Sequence, residues 1–153
     1  DMALLVFELD KATNDIIKLN YSGANNPSYL IRKEIANSAL TQEDWISEFE
    51  EHFVEIKGDK QAIGGFTEPD YCFHTRELEL EKGDMVYVFS DGYMDQFGGP
   101  KGKKFMKKNF KKLFVEFMDL EMEEQVEKMD QSIKEWMGEE EQVDDILVIG
   151  IKV

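Results

Sequence analysis

Strand-like runs crowd the chain as far as Ser90, two amphipathic helical stretches follow, and one apolar run closes it, with no strand–helix–strand alternation. Parallel strands need a long crossover, usually a helix, whereas antiparallel strands join through short turns. The order therefore calls for an α+β fold of antiparallel β-sheets with helices packed outside them. Met2–Leu9 and Ile16–Tyr21 flank the polar cluster Asp10–Asp15 and read as a hairpin. The turn Ser22–Pro27 leads to a third strand over Ser28–Arg32.

Further along, Phe53–Ile56 and Tyr71–Leu80 read as strands, the second alternating with one wet face and carrying Cys72 and His74. Residues 34–51 are open to two readings: Thr41-Gln-Glu-Asp44 suits the start of a short helix through Trp45, Ile46 and Phe49, or the region is an insertion. Ala62–Phe66 is a glycine-softened crossing, and Glu81–Asp84 is a tight turn feeding a central strand, Met85–Ser90. The spacing predicts a helix over Phe105–Met118, with Met106, Phe110, Leu113, Phe114 and Phe117 on its apolar face. Lys104, Lys107, Lys108, Lys111 and Lys112 form its solvated face and the one basic patch in the sequence. Met122, Val126, Met129, Ile133 and Trp136 predict a second helix ending near Gly138, its methionine stripe being core rather than a binding box. Val143–Ile151 is too apolar for an edge strand.

At 153 residues the chain fits a single domain, 1–153, and its 42% hydrophobic and 12% aromatic content is that of a globular protein. A net charge of −15 argues against nucleic acid and anionic membrane surfaces as partners. The lone Cys72 cannot form an internal disulfide, which fits a reducing, cytoplasmic setting. No segment reads as a bilayer span or a signal peptide. The abrupt start at Asp1, in mid-strand, reads as a piece of something longer.

The chemistry concentrates between Val86 and Gly99, where an apolar run stops at Ser90 and the acids Asp91 and Asp95 follow, then the flexible pair Gly98–Gly99. A carboxylate at the mouth of a buried strand, with glycine beside it, suits a hard metal ion, although Asp-Gly is also an ordinary turn. Asp144 and Asp145 open the last apolar run. If the two strands are antiparallel neighbours, Asp91 and Asp144 converge at one rim of a sheet, and two carboxylates without a nucleophile point to Mg²⁺ or Mn²⁺. The alternatives are poorer. There is no Gly-x-Ser-x-Gly, the histidines are only His52 and His74, and Cys72 has no base beside it. Zinc lacks soft ligands, and Gly98–Lys104 fails as a phosphate loop because Phe97 stands where glycine is needed.

Lys82-Gly-Asp-Met-Val-Tyr-Val-Phe-Ser-Asp-Gly92 resembles the "GD…(S/T)DG" segment of metal-dependent Ser/Thr phosphatases of protein phosphatase 2C type, and Asp144-Asp-Ile-Leu-Val-Ile149 resembles their closing strand. Tyr21-Ser-Gly-Ala-Asn-Asn-Pro27 and Gln61-Ala-Ile-Gly64 are similar to the "AGHNP" and "PLG" segments of the bacterial branch typified by sporulation stage II protein E and RsbU. The resemblance implies an α-β-β-α sandwich and a two-metal Mn²⁺ or Mg²⁺ site whose held water attacks a phosphoserine or phosphothreonine in line. It makes Asp91 and Asp144 metal ligands and gives Gly92, Asp95 and Asp145 supporting or further ligand roles. Lys101 and Lys103 become candidate contacts to substrate phosphate, against the plainer reading of a mobile solvated loop. The implied substrate is a phosphorylated anti-sigma-factor antagonist, under the control of upstream sensor domains through which the parent protein could be membrane-anchored.

The sequence departs from the family pattern in places. The family's earlier Asp-Gly, which bridges both metals, has no match, since Asp91–Gly92 is the one Asp-Gly here, and Asn25 and Leu147 replace a histidine and a threonine. The expectation is an N-terminally truncated sandwich, the C-terminal part of a phosphatase domain, that binds metal weakly and turns over little by itself. Two rival readings are a non-catalytic phosphatase-like binding module and a fragment that homodimerises through exposed sheet edge.

Overall fold

The computed structural model describes residues 1–33, 35, 46–49, 52–64 and 70–153. Its strands are β1 Met2–Leu9, β2 Ile16–Ala24, β3 Ser28–Ile31, β4 Ile46–Phe49, β5 Phe53–Ile56, β6 Arg76–Glu79, β7 Met85–Phe89, β8 Phe97–Gly98, β9 Lys103–Lys104 and β10 Val148–Lys152. The helices are α1 Gly92–Asp95, α2 Lys107–Glu116 and α3 Met122–Met137. The chain divides into two units, Asp1–Val88 with Gly150–Val153, and Phe89–Ile149. The fold is α+β with antiparallel pairing, as the element order indicated.

In the first unit, β1, β2 and β6 form one sheet, and β3, β5 and β4 continue outward from β7 in the other, whose full order is β10-β7-β3-β5-β4. The β1–β2 hairpin closes where Asp10 Oδ1 accepts the N–H groups of Ala12 (2.8 Å) and Thr13 (2.9 Å). Strand periodicity does the rest. Ala3, Leu5 and Phe7 pack inward while Met2, Leu4 and Val6 stay about half exposed. Leu19, Tyr21 and Leu78 of one sheet share a core with Leu30, Val54, Ile56 and Val86 of the other. Burying each such side chain contributes roughly 1.5–3 kcal/mol.

The Lys82-Gly-Asp84 turn does more than reverse the chain. Asp84 accepts Arg32 Nε at 2.8 Å and the Glu81 N–H at 2.8 Å, while Arg32 also donates to Glu81 Oε1 and the Glu79 carbonyl, each at 2.9 Å. Arg32 and Asp84 are 3% and 1% exposed, so this charge pair is desolvated and held by several hydrogen bonds.

In the second unit, Phe89, Tyr93, Phe105, Phe110 and Phe114 stack edge-on or tilted, with centroids 4.8–6.3 Å apart along the series. Helix α3 starts from a capping box, Glu121 with Glu124, and stops at Gly138. Both long helices fall where their apolar periodicity placed them.

Several expectations need correction. Only Arg76–Glu79 of the Tyr71–Leu80 run is a strand, because Asp59 Oδ2 takes the His74 N–H at 2.8 Å that a sheet ladder would use. Cys72 and His74 accordingly lie outside any strand. Ile46–Phe49 is strand rather than helix, and the expected cap at Thr41–Trp45 lies outside the described residues, as do 65 and 66 of the glycine crossing. Residues 143–147 are irregular, and among the described residues β10 is the last strand in its sheet order, not an interior one. Met106 precedes α2 and is 56% exposed, and in α3 Val126 is 66% exposed while Gln125 is buried. Gln125 earns its buried place by donating to the Leu120 carbonyl at 3.1 Å.

Candidate metal-binding loop

The site lies within the second unit, where the end of β7 meets the segment leading into β10. The Ser90 N–H donates to the Leu147 carbonyl at 3.0 Å, and its hydroxyl accepts the Leu147 N–H at 2.9 Å. The same hydroxyl donates to the Asp145 carbonyl at 2.6 Å. One serine therefore fastens the Asp144–Leu147 segment beside Asp91. Gly92 completes the approach, because a Cβ there would stand 2.3 Å from the Asp145 carbonyl oxygen and 3.2 Å from that of Asp144. Only glycine lets the two backbones come so close.

Asp91 is exposed at the N-terminal boundary of α1, and its side chain makes no capping hydrogen bond. Asp144, also exposed, has Oδ1 turned to the Asp145 N–H at 2.7 Å. Asp145 is exposed as well. Asp95, one turn on from Asp91, pairs with Lys104 Nζ at 2.8 Å, so its carboxylate is already engaged. Among the described residues no three His, Cys, Asp or Glu side chains gather tightly enough to hold an ion. The donor set is two hard carboxylates on adjoining segments, a shell that Mg²⁺ accepts when water fills its remaining positions. In donor chemistry, these two carboxylates suit such an ion.

The most important polar residue here is one that sequence reasoning passed over. Gln96 is fully buried; its amide donates to the carbonyls of Glu141 (2.9 Å) and Phe97 (3.1 Å) and accepts the Val143 N–H at 3.3 Å. It ties α1 to the residues just before Asp144. The expected flexible pair Gly98–Gly99 is instead a packing surface: a Cβ on Gly98 would lie 1.9 Å from the Trp136 carbonyl oxygen, and the Gly99 N–H donates to that oxygen at 2.7 Å. Lys103 sits in the β8–β9 hairpin and Lys101 in its turn, both exposed to solvent.

The family model for stage II sporulation protein E (SpoIIE) matches residues 4–153. The chain belongs to the SpoIIE family. Among solved structures, the PP2C domain of SiaA from Pseudomonas aeruginosa is similar at 26% identity and a TM-score of 0.71, over 89% of this chain and 46% of that one. The PP2C phosphatase domain of SpoIIE from Bacillus subtilis, with a fragment of its regulatory domain, aligns at 14% identity and a TM-score of 0.58, over 91% of this chain and 34% of that one. The Mn-presoaked SpoIIE phosphatase domain from the same organism aligns at 12% identity and 0.50, over 99% and 56%. Comparison with curated proteins gives no match. This SpoIIE-family chain thus has the PP2C-type phosphatase fold and spans about half or less of the length of the first two of these structures. Among the described residues no helix is long and apolar enough to cross a membrane.

Proposed function

We propose that the protein hydrolyses phosphoserine or phosphothreonine on a regulatory phosphoprotein, an antagonist of an anti-sigma factor by family analogy, using Mn²⁺ or Mg²⁺. The observation that carries this is the Ser90 clasp, which brings the Ser90-Asp91-Gly92 and Asp144-Asp145 segments together in a SpoIIE-family chain. PP2C-type phosphatases are in general metal-dependent, and the SpoIIE phosphatase domain compared above was presoaked with Mn.

In this proposal Asp91 and Asp144 hold the ion, which when bound supplies Lewis-acid polarisation of a phosphoryl oxygen. Asp145 orients Asp144 through its backbone N–H, and Asp95 fixes the neighbouring Lys104 rather than binding metal. Gly92 sets the spacing between the two segments. Lys101 and Lys103 are exposed on the hairpin tied to α1 and offer cationic contacts to a phosphate.

The test is phosphate release from a phosphoserine peptide by the intact protein, with and without Mn²⁺, beside Asp91→Asn. Release that requires Mn²⁺ and falls at least about a hundredfold in the variant, the scale of losing a charge-stabilising group, supports the proposal. Metal-independent release, or an unimpaired variant, rejects it.

A further inference from the structure

Charge is distributed very unevenly along this chain. Seven of its 18 basic residues lie in positions 101–112, a stretch without a single acid, while all 33 acids lie elsewhere. Lys101 and Lys103 project from the β8–β9 hairpin, and Lys108 and Lys112 stand one turn apart on α2, whose buried side chains are Phe110, Leu113 and Phe114. These four lysines are exposed and enter no ion pair among the described residues.

The platform beneath them is fixed. The Phe105 N–H donates to the Gln96 carbonyl and the Met106 N–H to the Met94 carbonyl, both at 2.9 Å, so the hairpin and the start of α2 are bonded to α1, which begins next to Asp91. Met106 holds φ at +75°, an uncommon value for a residue with a side chain, and presents that side chain to solvent beside the lysines. Phe97, 39% exposed, lies with its ring centroid 5.9 Å from Lys104 Nζ. Exposed methionine and aromatic side chains within a charged rim are the composition of a protein-docking surface.

We infer that this hairpin-and-helix surface docks an acidic phosphoprotein segment, carboxylates flanking its phosphorylated residue. The inference deepens the phosphatase function proposed above and rests on it. Its physical ground is charge complementarity: a chain with net charge −15 repels an acidic partner over most of its surface, so a fixed basic patch attached to α1 selects both the partner and its orientation.

The experiment uses the intact protein and two fluorescein-labelled phosphoserine peptides of equal length, one flanked by glutamates and one by glutamines. Anisotropy should show the glutamate peptide binding about tenfold more tightly at low salt, with the advantage fading as salt rises. Lys108→Ser with Lys112→Ser should remove most of that advantage while Mn²⁺-dependent hydrolysis of p-nitrophenyl phosphate stays unchanged. Equal binding of the two peptides, or tighter binding of duplex DNA or phosphatidylserine vesicles than of the glutamate peptide, overturns the inference. Absence of p-nitrophenyl phosphate hydrolysis in the unaltered protein would overturn the phosphatase function instead, and the anisotropy comparison would still decide the docking.

Discussion

The Ser90 hydroxyl joins the Asp145 carbonyl at 2.6 Å, so a residue at the end of β7 fixes the backbone position of one 55 residues away. The clasp sets how far apart the candidate ligands Asp91 and Asp144 stand, and Gly92 is the residue that permits the distance.

Gly92→Ala should therefore push the Asp144–Asp145 segment away, since its Cβ would meet the Asp145 oxygen at 2.3 Å. Overpacking of this kind costs about 1–3 kcal/mol. Mn²⁺ titration of the intact protein should show affinity reduced about tenfold or more. Unaltered affinity would mean that the segment is not part of the metal shell.

Gln96→Met keeps the volume of a buried side chain and removes three hydrogen bonds, to Glu141, Phe97 and Val143. The expected loss is roughly 1–3 kcal/mol of stability. Amide exchange over 141–147 should quicken more than exchange in α2. A uniform change across the second unit would show that Gln96 is ordinary core.

Asp84→Asn leaves the Arg32 guanidinium buried with only the half-exposed Glu81 carboxylate to balance it. Removing one partner of a buried ion pair costs roughly 3–5 kcal/mol. Urea unfolding should record this as a lower midpoint. Pairing Asp84→Leu with Arg32→Met should recover part of the loss, because no unbalanced charge then remains.

Acid should weaken the first unit through Asp59. Burial by itself would raise this carboxyl, but the His74 N–H, the Arg76 guanidinium and the His74 ring more than offset that and hold it at about 2, against an ordinary 3.8. A depressed carboxyl contributes stability that is fully present above its unfolded value and is lost as pH falls through the folded one. The contribution, on the order of 2 kcal/mol, should be intact above pH 4 and fade toward pH 2. Stability measured against pH should lose that part of its acid limb in Asp59→Asn. An unchanged limb would remove Asp59 from the account.

What could be read from the sequence was whatever periodicity or turn chemistry encodes locally. The β1–β2 hairpin, α2 and α3 follow from alternation at 2 and at 3.6 residues, and the Asp144 and Ser90–Gly92 motifs were visible as short strings. The Ser90 clasp and the Gln96 staple were not, because each joins a polar side chain to backbone groups 45–57 positions away, in stretches that look like loop until the fold closes around them. The Tyr71–Thr75 stretch misled for a related reason: a single distant carboxylate, Asp59, captured the backbone that its alternation had assigned to a sheet. In α3 the same limit appears at smaller scale. Val126 fits the apolar stripe by spacing, yet Gln125 takes the buried place because the Leu120 carbonyl needs its amide.

Trp136, near the end of α3, sits against Gly98 and Gly99, and its indole Nε1 donates to the Gln96 carbonyl at 3.2 Å. Helix α3 thereby acts as a ruler for the hairpin. Each residue inserted or deleted between Met122 and Trp136 turns that indole by about 100° and slides it by about 1.5 Å. The glycine pair would then lose the ring it rests on, and the lysines would lose their foundation. The length of α3 is therefore constrained as tightly as any residue in the candidate site, although none of its side chains is a candidate ligand.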